Sequence, residues 1–371
     1  MSLGVLLTQD HVYFMTLAFT ICSINYLAQA RTLGDSLRQT NPDYHYVIGL
    51  VDKLSEANLP AELIPDYPLL EVDQIGIPAF AAMCSRYDIT ELNTAVKPFF
   101  IDYFYKTYST ATAVIYFDPD IIVFQPLHQL NEALTRSSLV LTPHTCSPTP
   151  DWERPNEQHH LNTGIFNLGF IGLRNDTTAH QFTDWWKDRL VYECRIDLCA
   201  GLFVDQHWVN FAPVYYDNVL IEKHLGYNVA YWNLHERYFS QNDGGTWQIT
   251  SPPTQSNEKA PQLLQFFHFS GYNPDQPDEI SKYQTRFGFA SLNGTTTQSG
   301  RHVDKPEQQR PDVRPLFDLF RSQLLANHND QYRSYPCFYI KPPVMLRYKR
   351  VRNLLKLPFN QVITLLESRQ V

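Results

Sequence analysis

The stretch at residues 111–127, ATAVIYFDPDIIVFQPL, constrains this chain more than any other. Val114, Ile115, Tyr116 and Phe117 form an unbroken apolar run, the pattern of a strand covered on both faces, and Ile121 to Phe124 resume it after Asp118-Pro119-Asp120. A strand of that kind predicts an α/β fold, a mixed and mostly parallel sheet flanked by helices. Pro119 cannot donate to a sheet ladder, so the strand must leave its neighbours there, with both carboxylates at its carboxyl end. Ligands of open α/β sheets bind at that edge. Two carboxylates so spaced on extended chain can share one divalent ion, which can in turn hold phosphate oxygens of a nucleotide. The plainer alternative is a strand-turn-strand whose acidic turn does no chemistry, because Asp and Pro are ordinary turn formers.

A chain of 371 residues exceeds a typical single domain. The pattern changes near Tyr283, which predicts one large domain over residues 1–282 and a smaller loop and helical region over 283–371. Charged residues are 18%, below the usual level of about 25%, and the aromatic share of 14% would suit a hydroxylated ligand that stacks on rings, although aromatics more often fill cores. A formal charge of −8 disfavours nucleic acid as a partner. Six cysteines, at 22, 84, 146, 194, 199 and 337, show no C-x-x-C and no short secreted framework, as expected of reduced thiols in a cytoplasmic protein. Cys194, Cys199 and His207 make a poor metal spacing. The first residues lack the tripartite pattern of a signal peptide, and no membrane span is expected, since the apolar run from Val12 to Cys22 is broken by Thr16 and Thr20. Asn175 and Asn293 open glycosylation sequons, which matter only in a secretory compartment.

In chain order, residues 13–22 read as a buried strand and 27–40 as a helix, with Leu27, Ala30, Leu33 and Leu37 at helical spacing. Residues 46–50 are a second strand. Neither unit carries G-x-G-x-x-G or a phosphate loop, so any phosphate must be held by other means, such as a metal. Residues 60–78 are proline-rich and read as a surface excursion. Residues 90–108 place Val96, Phe99, Phe100, Tyr103 and Phe104 on one helical face, with Pro98 kinking the helix or starting a second one. Lys97 lies off that stripe and reads by default as a surface lysine. A short helix at PLHQLNEAL precedes a long loop over 142–160, a length that usually marks function or disorder. The strand at 165–173 carries Asn167, Gly169 and Gly172, glycines that suggest the close approach of a ligand or another backbone. Asn167 would need its amide satisfied there. A Trp-bearing helix over 182–194 leads to Asp205-Gln206, where Asp205 reads as either a helix cap or a site residue. Residues 218–231 look like strand-helix-strand, and 263–267 like a last buried strand ending in His268, which taken alone reads as a core histidine. Helices are expected at 313–327 and 346–368.

Taken in order, these pieces resemble the GT-A glycosyltransferases of family eight, the group that includes glycogenin and the bacterial galactosyltransferases of lipooligosaccharide synthesis. NYLAQARTLGDSL is similar to that family's first strand-helix unit, YFDPDIIVFQPL to its Asp-x-Asp metal motif, FNLGFIGL to its F-N-S/A-G strand, VDQHWVN to its D-Q-x-x-x-N element and HFSGY to its late H-F-S/T-G. The full pattern looks closer still to a group of uncharacterised bacterial glycosyltransferases. Two features depart from the family. Asn273-Pro274-Asp275 stands where the family has Lys-Pro-Trp, which removes a phosphate-binding lysine, and the loop over 142–160 has no counterpart.

What the resemblance implies is a Rossmann-like GT-A fold and transfer of a sugar from a nucleotide diphosphate donor, uridine-linked, to a glycan or other hydroxyl acceptor. It implies retention of configuration and Mn²⁺ or Mg²⁺ held by Asp118, Asp120 and His268. Tyr26 would stack on the base, with Thr20, Lys97, Asp118 and Gly271 completing the nucleotide site. Lys97 would replace the missing phosphate lysine. Asn167, Asp205 and Gln206 would hold the donor sugar, with Gln206 or Asp205 nearest the anomeric carbon. Asp151, Glu157, His144 and the C-terminal helices would face the acceptor. The alternatives are a carbohydrate-binding protein with a structural cation and a nucleotidyltransferase, which also uses paired carboxylates and metal.

Overall fold

A computed structural model describes residues 15–252, 260–289 and 308–340. Its strands, in chain order, are β1 (Met15–Cys22), β2 (His45–Leu50), β3 (Leu69–Glu71), β4 (Ala111–Phe117), β5 (Ile121–Val123), β6 (Leu139–Pro143) and β7 (Phe166–Arg174), followed by β8 (Ile196–Asp197), β9 (Leu202–Phe203), β10 (Val219–Ile221), β11 (Tyr238–Gln241), β12 (Trp247–Thr250), β13 (Gln262–Leu263) and β14 (Phe266–His268). Seven of them form the central sheet in the order β10-β6-β7-β4-β1-β2-β3. Every pairing in it is parallel except those of β7, which runs against both β4 and β6. The expected α/β architecture is therefore present, a mixed and mostly parallel sheet with helices on both faces. Apolar residues alternate along β1 between two cores: Leu17, Phe19 and Ile21 face one, Ala18 and Cys22 the other.

The helix Leu27–Thr40 follows the sequence spacing, burying Leu27, Ala30, Leu33 and Leu37. Its Ser36 hydroxyl accepts from Val123 N at 3.1 Å, and Asn41 just past its end accepts from Leu127 N at 2.8 Å. Those two bonds fix where the chain goes after the acidic turn. Pro98 does start a second helix: Ile89–Ala95 ends before it, and Lys97–Thr107 carries the proline in its first turn, where a missing N–H costs nothing.

Several boundaries differ from expectation. The excursion over 60–78 contributes β3, which pairs with β2 at the sheet edge. The loop over 142–160 closes with the helix Glu157–Thr163, capped by Asn156, whose side chain accepts from His159 N. No helix forms between β10 and Tyr231; Asn228 instead takes a left-handed turn. The apolar run over 263–267 splits, with β13 pairing to β12 and β14 to β5. The helix Arg314–Ala326 packs Phe317 and Phe320 against Phe269, the latter at 4.2 Å and stacked, and Asn327 donates to Asp35 of the first helix at 3.1 Å. Tyr13, the Asn293 sequon, most of the polar stretch after Phe289 and the helix expected at 346–368 lie outside the described residues.

Candidate active site

β4 ends at Phe117, and Asp118 N donates to Gly169 O of β7 at 2.7 Å, the last tie to the central sheet. After Pro119 the chain enters β5, which pairs antiparallel with β14. In that register His268 lies opposite Ile121 and so beside Asp120. His268 thus reaches the acids from an antiparallel partner in a separate two-stranded sheet, and not, as the sequence suggested, from a parallel strand ending at the same edge.

Imidazole Nε2 lies 3.0 Å from Asp120 Oδ1 and 3.5 Å from Asp118 Oδ2. The three side chains each bring one donor atom within 4.8 Å of the others, the one such metal-competent group among the described residues. Two hard carboxylate oxygens with one imidazole nitrogen fit Mg²⁺ or Mn²⁺, the nitrogen favouring Mn²⁺. The acids are partly open, with 30% and 20% side-chain exposure, while His268 is buried at 3%. Burial alone would depress the imidazole pKa; the charge of Asp120, its hydrogen bond and the charge of Asp118 outweigh it and raise the value. A cation seated there would displace that proton.

Two neighbours set this geometry. Tyr116, buried, donates to Asp118 Oδ1 at 2.6 Å. Gly169 leaves room for the histidine: a Cβ there would sit 2.3 Å from His268 Cε1. The close approach its sequence context predicted is thus made by a side chain. Tyr26, 44% exposed at the end of the turn Ile24–Tyr26, has its hydroxyl pKa pushed up to about 12 by burial and by the charges of Asp120, Tyr283 and Asp118. Tyr26 is thus partly exposed and within electrostatic range of the carboxylates. Gly271 follows β14 with φ of +71°, where a Cβ would meet Tyr283 and Ser281.

A second cluster lies behind the first. Lys97 is 1% exposed, which overturns its reading as a surface lysine. Its ammonium donates to Leu168 O at 2.8 Å and Asp205 Oδ2 at 2.5 Å, and lies 4.2 Å from the Tyr116 ring centre. Those commitments argue against the phosphate contact expected of it. Asp205 stands at the N-cap position of the helix Gln206–Val209 but makes no cap bond; its carboxylate turns to Lys97. Burial raises its pKa, and Lys97 pulls the other way. Gln206 donates to Thr163 O and accepts from Leu168 N. Asn167 accepts from Gly169 N at 3.0 Å and Asn228 Nδ2 at 3.1 Å, while its own amide faces His144 Nε2 at 3.3 Å. Its amide oxygen is satisfied by the protein, and one of its two amide hydrogens faces His144.

Other expected positions fall elsewhere. Thr20 is fully buried in mid-strand, its side chain on the same face of β1 as Ala18 and Cys22, so a nucleotide contact has no route to its hydroxyl. Glu157 ties down its own loop by accepting from Thr149 N, and Asp151 pairs with Arg286 at 2.7 Å. His144 is buried, and burial with the neighbouring His160 holds its pKa well below the usual value. Sequence reasoning missed Tyr116, Asn228 and Asn233, the last donating to His144 O and Asn228 O. Tyr116 was legible as the residue two before Asp118, reaching the same face; the asparagines gave no signal beyond composition. All six cysteines are free, with Cys194 buried and Cys199 exposed.

No family model matches the chain. It is similar to two Bacillus subtilis (strain 168) proteins, the uncharacterized protein YfnF (25% identical, spanning 72% of this chain and 86% of that one) and the uncharacterized protein YfnD (23%, spanning 68% and 76%). Among solved structures it resembles the glycosyltransferase GlyE of Streptococcus pneumoniae TIGR4 (TM-score 0.43, 14% identity, 88% of this chain and 66% of that one) and the galactosyltransferase LgtC in complex with donor and acceptor sugar analogs (0.37, 13%, 58% and 76%). No helix among the described residues is long and apolar enough to cross a membrane.

Proposed function

We infer that this chain is a glycosyltransferase that moves a sugar from a nucleotide diphosphate donor, uridine-linked, to a hydroxyl acceptor, with retention of configuration. The observation that carries the reading is the convergence of Asp118, Asp120 and His268 on one point, with the partly exposed Tyr26 within electrostatic range. Those three side chains would hold Mn²⁺ or Mg²⁺, and a cation there supplies positive charge to a departing diphosphate.

The remaining steps belong to the chain's own residues. Tyr26 stacks on the base and Tyr116 fixes the rotamer of Asp118. Lys97 serves Asp205 in place of the phosphate, countering the burial of that carboxylate beneath the donor sugar. Gln206, anchored through Thr163 and Leu168, presents its side chain at the sugar, and Asn167 offers its one unused amide hydrogen.

Incubating the protein with uridine diphosphate sugars, with and without Mn²⁺, tests this. Metal-dependent release of nucleoside diphosphate is expected. Pyrophosphate in its place would indicate a nucleotidyltransferase, and binding of glycans with no nucleotide product a carbohydrate-binding protein.

A further inference from the structure

The turn that carries Tyr26 does not cap itself. Ser23 opens it with no side-chain bond to the turn, and its hydroxyl goes instead to Val51 O at 3.3 Å. The first amide of the turn, Ile24 N, donates to Asp52 Oδ2 at 3.2 Å. Asp52 lies just past β2 and is 1% exposed. Its other oxygen accepts from Lys53 N at 3.0 Å and Phe338 N at 2.8 Å, while the Lys53 ammonium turns away to Asp73. Burial pushes the pKa of this carboxyl up, and the three N–H groups pull the other way. A buried carboxylate needs such donors. Here they come from the chain after β1, the chain after β2 and the C-terminal segment, so the side chain is a joint between them.

What it joins gives the joint its meaning. β1 and β2 run parallel with Cys22 opposite Leu50, and Phe19 pairs with Tyr116 of β4. The Tyr26 turn, Asp52 and Asp118 therefore all follow strands that end at one edge of the sheet. The third segment arrives from the far end of the described chain. Past the helix Arg314–Ala326, the Tyr332 hydroxyl accepts from Arg31 of the first helix at 3.2 Å and donates to Leu63 O. The Cys337 thiol then donates to Val51 O at 3.2 Å, and the Tyr339 ring packs on Phe80 with centres 4.8 Å apart. Residues 332–339 are thus strapped across the chain that follows β1 and β2, and Phe338 N is where the strap meets the carboxylate that holds the turn.

We propose that Asp52 is a positioning residue for the donor base: one carboxylate takes Ile24 N and Phe338 N, so the C-terminal strap sets the turn on which Tyr26 stands. This role rests on the reading above of Tyr26 as the ring that stacks on the base. Tyr26 is 44% exposed, so packing holds only part of its surface and the backbone of the turn supplies the rest of the order. A ring fixed before the base arrives loses less freedom on binding, which raises affinity with no added contact. Asparagine cannot do the same work. All three neighbours are donors, and an amide would turn its N–H₂ toward at least one of them.

The test uses the full chain and two titrations, uridine diphosphate in the presence of Mn²⁺, and Mn²⁺ alone. Asp52→Asn should weaken the nucleotide about tenfold, the loss of roughly one hydrogen bond to a charged group. Its Mn²⁺ affinity should stay at the wild-type value, because Asp118, Asp120 and His268 stand on other segments. Phe338→Pro deletes the strap's donor and should show the same pattern; Phe338→Ala, which keeps the N–H, should bind the nucleotide more tightly than the proline variant. In a Tyr26→Ala background, Asp52→Asn should cost less than about twofold, since the group it positions is gone. An equal loss with and without Tyr26, a parallel loss of Mn²⁺ affinity, or nucleotide binding unchanged in Asp52→Asn would overturn the role. If Asp52→Asn does not fold, the Phe338 variants and their cycle with Tyr26→Ala decide by the same outcomes. A wild type that binds Mn²⁺ but no uridine diphosphate fails the donor reading itself, whereas binding that these variants leave untouched fails the positioning role alone.

Discussion

The acidic cluster and the lysine cluster meet at Tyr116 and Gly169, and differ in what their polar atoms are free to do. Asp118 and Asp120 are partly open, and among the described residues their cationic partner is an imidazole from which a metal would displace the proton. Around Lys97, by contrast, the ammonium, the Asp205 carboxylate and the amides of Gln206 and Asn167 all bond to protein groups within a dry interior. The first cluster is finished only by something from outside. The second is already bonded within the protein, and it holds in place the two amides, Gln206 and Asn167, that the proposed function puts at the sugar. Loss from the first should therefore cost function at little cost in stability, and loss from the second should cost stability directly.

Asp120→Ala gives the largest expected effect: metal-dependent donor binding is abolished while the melting curve stays near that of the wild type. The residue sits in the turn just before β5, in partial solvent contact, so its removal opens no core. Wild-type turnover in this variant would take the metal assignment down.

Lys97→Met should behave in the opposite way, destabilising the protein by about 3–5 kcal/mol through the uncompensated Asp205. With Lys97 gone, burial acts alone and the Asp205 pKa rises further above its ordinary 3.8. A carboxyl whose folded pKa is raised favours folding below the unfolded value and loses that contribution as pH climbs through the folded one. The variant's deficit should accordingly shrink in acid and be complete at neutral pH. Denaturation curves at several pH values read it directly; a deficit independent of pH would mean Asp205 is not the group left unpaired.

His268→Ala comes next, weakening Mn²⁺ by about 100-fold, the upper end of what supporting residues of metal sites contribute. Because the folded imidazole pKa lies above 6.5, its metal-free contribution to stability is present below the unfolded pKa and fades as pH rises through the folded one. Proton and metal compete, so wild-type affinity should begin to fall while pH is still above 6.5. Titration of both proteins at two pH values should show that slope in the wild type and a flat response in the variant.

The smallest effect belongs to Tyr26. Replacement by Ala should weaken nucleotide binding by about 1–3 kcal/mol, the usual worth of a base stacked on a ring, with Phe nearly silent. Equal losses in the two variants would assign the contact to the hydroxyl.

How far the sequence revealed each cluster follows from the same contrast. Asp118 and Asp120 interrupt an apolar run, a local anomaly that periodicity exposes, and the helices Leu27–Thr40 and Arg314–Ala326 were legible because their apolar spacing agrees with the face they bury. Lys97 could not be placed that way. A lysine beside a helical stripe looks exposed until the carboxylate that neutralises it is brought from a distant segment, and no local pattern announces that pairing. The split of the run over 263–267 failed for a related reason: four apolar residues around Gln265 read as one strand, but two different sheets compete for their ladder bonds. Of the Asn228, Asn233 and Asn167 network only Asn167 stood out, inside an apolar run; Asn228 and Asn233 look like turn residues until their partners are known.

The crossing of the chain from β4 into β5, with β14 as the partner waiting there, has a consequence for synthesis. Both carboxylates emerge from the ribosome early, after β1, β2 and β4 and before β6 and β7, whereas the imidazole arrives only after every strand of the central sheet. An early nascent chain therefore carries two acids and no third ligand, a weak trap for cations. A cation that needs all three ligands could be held fully only after β14 has been made, by which point every strand of the central sheet has left the ribosome.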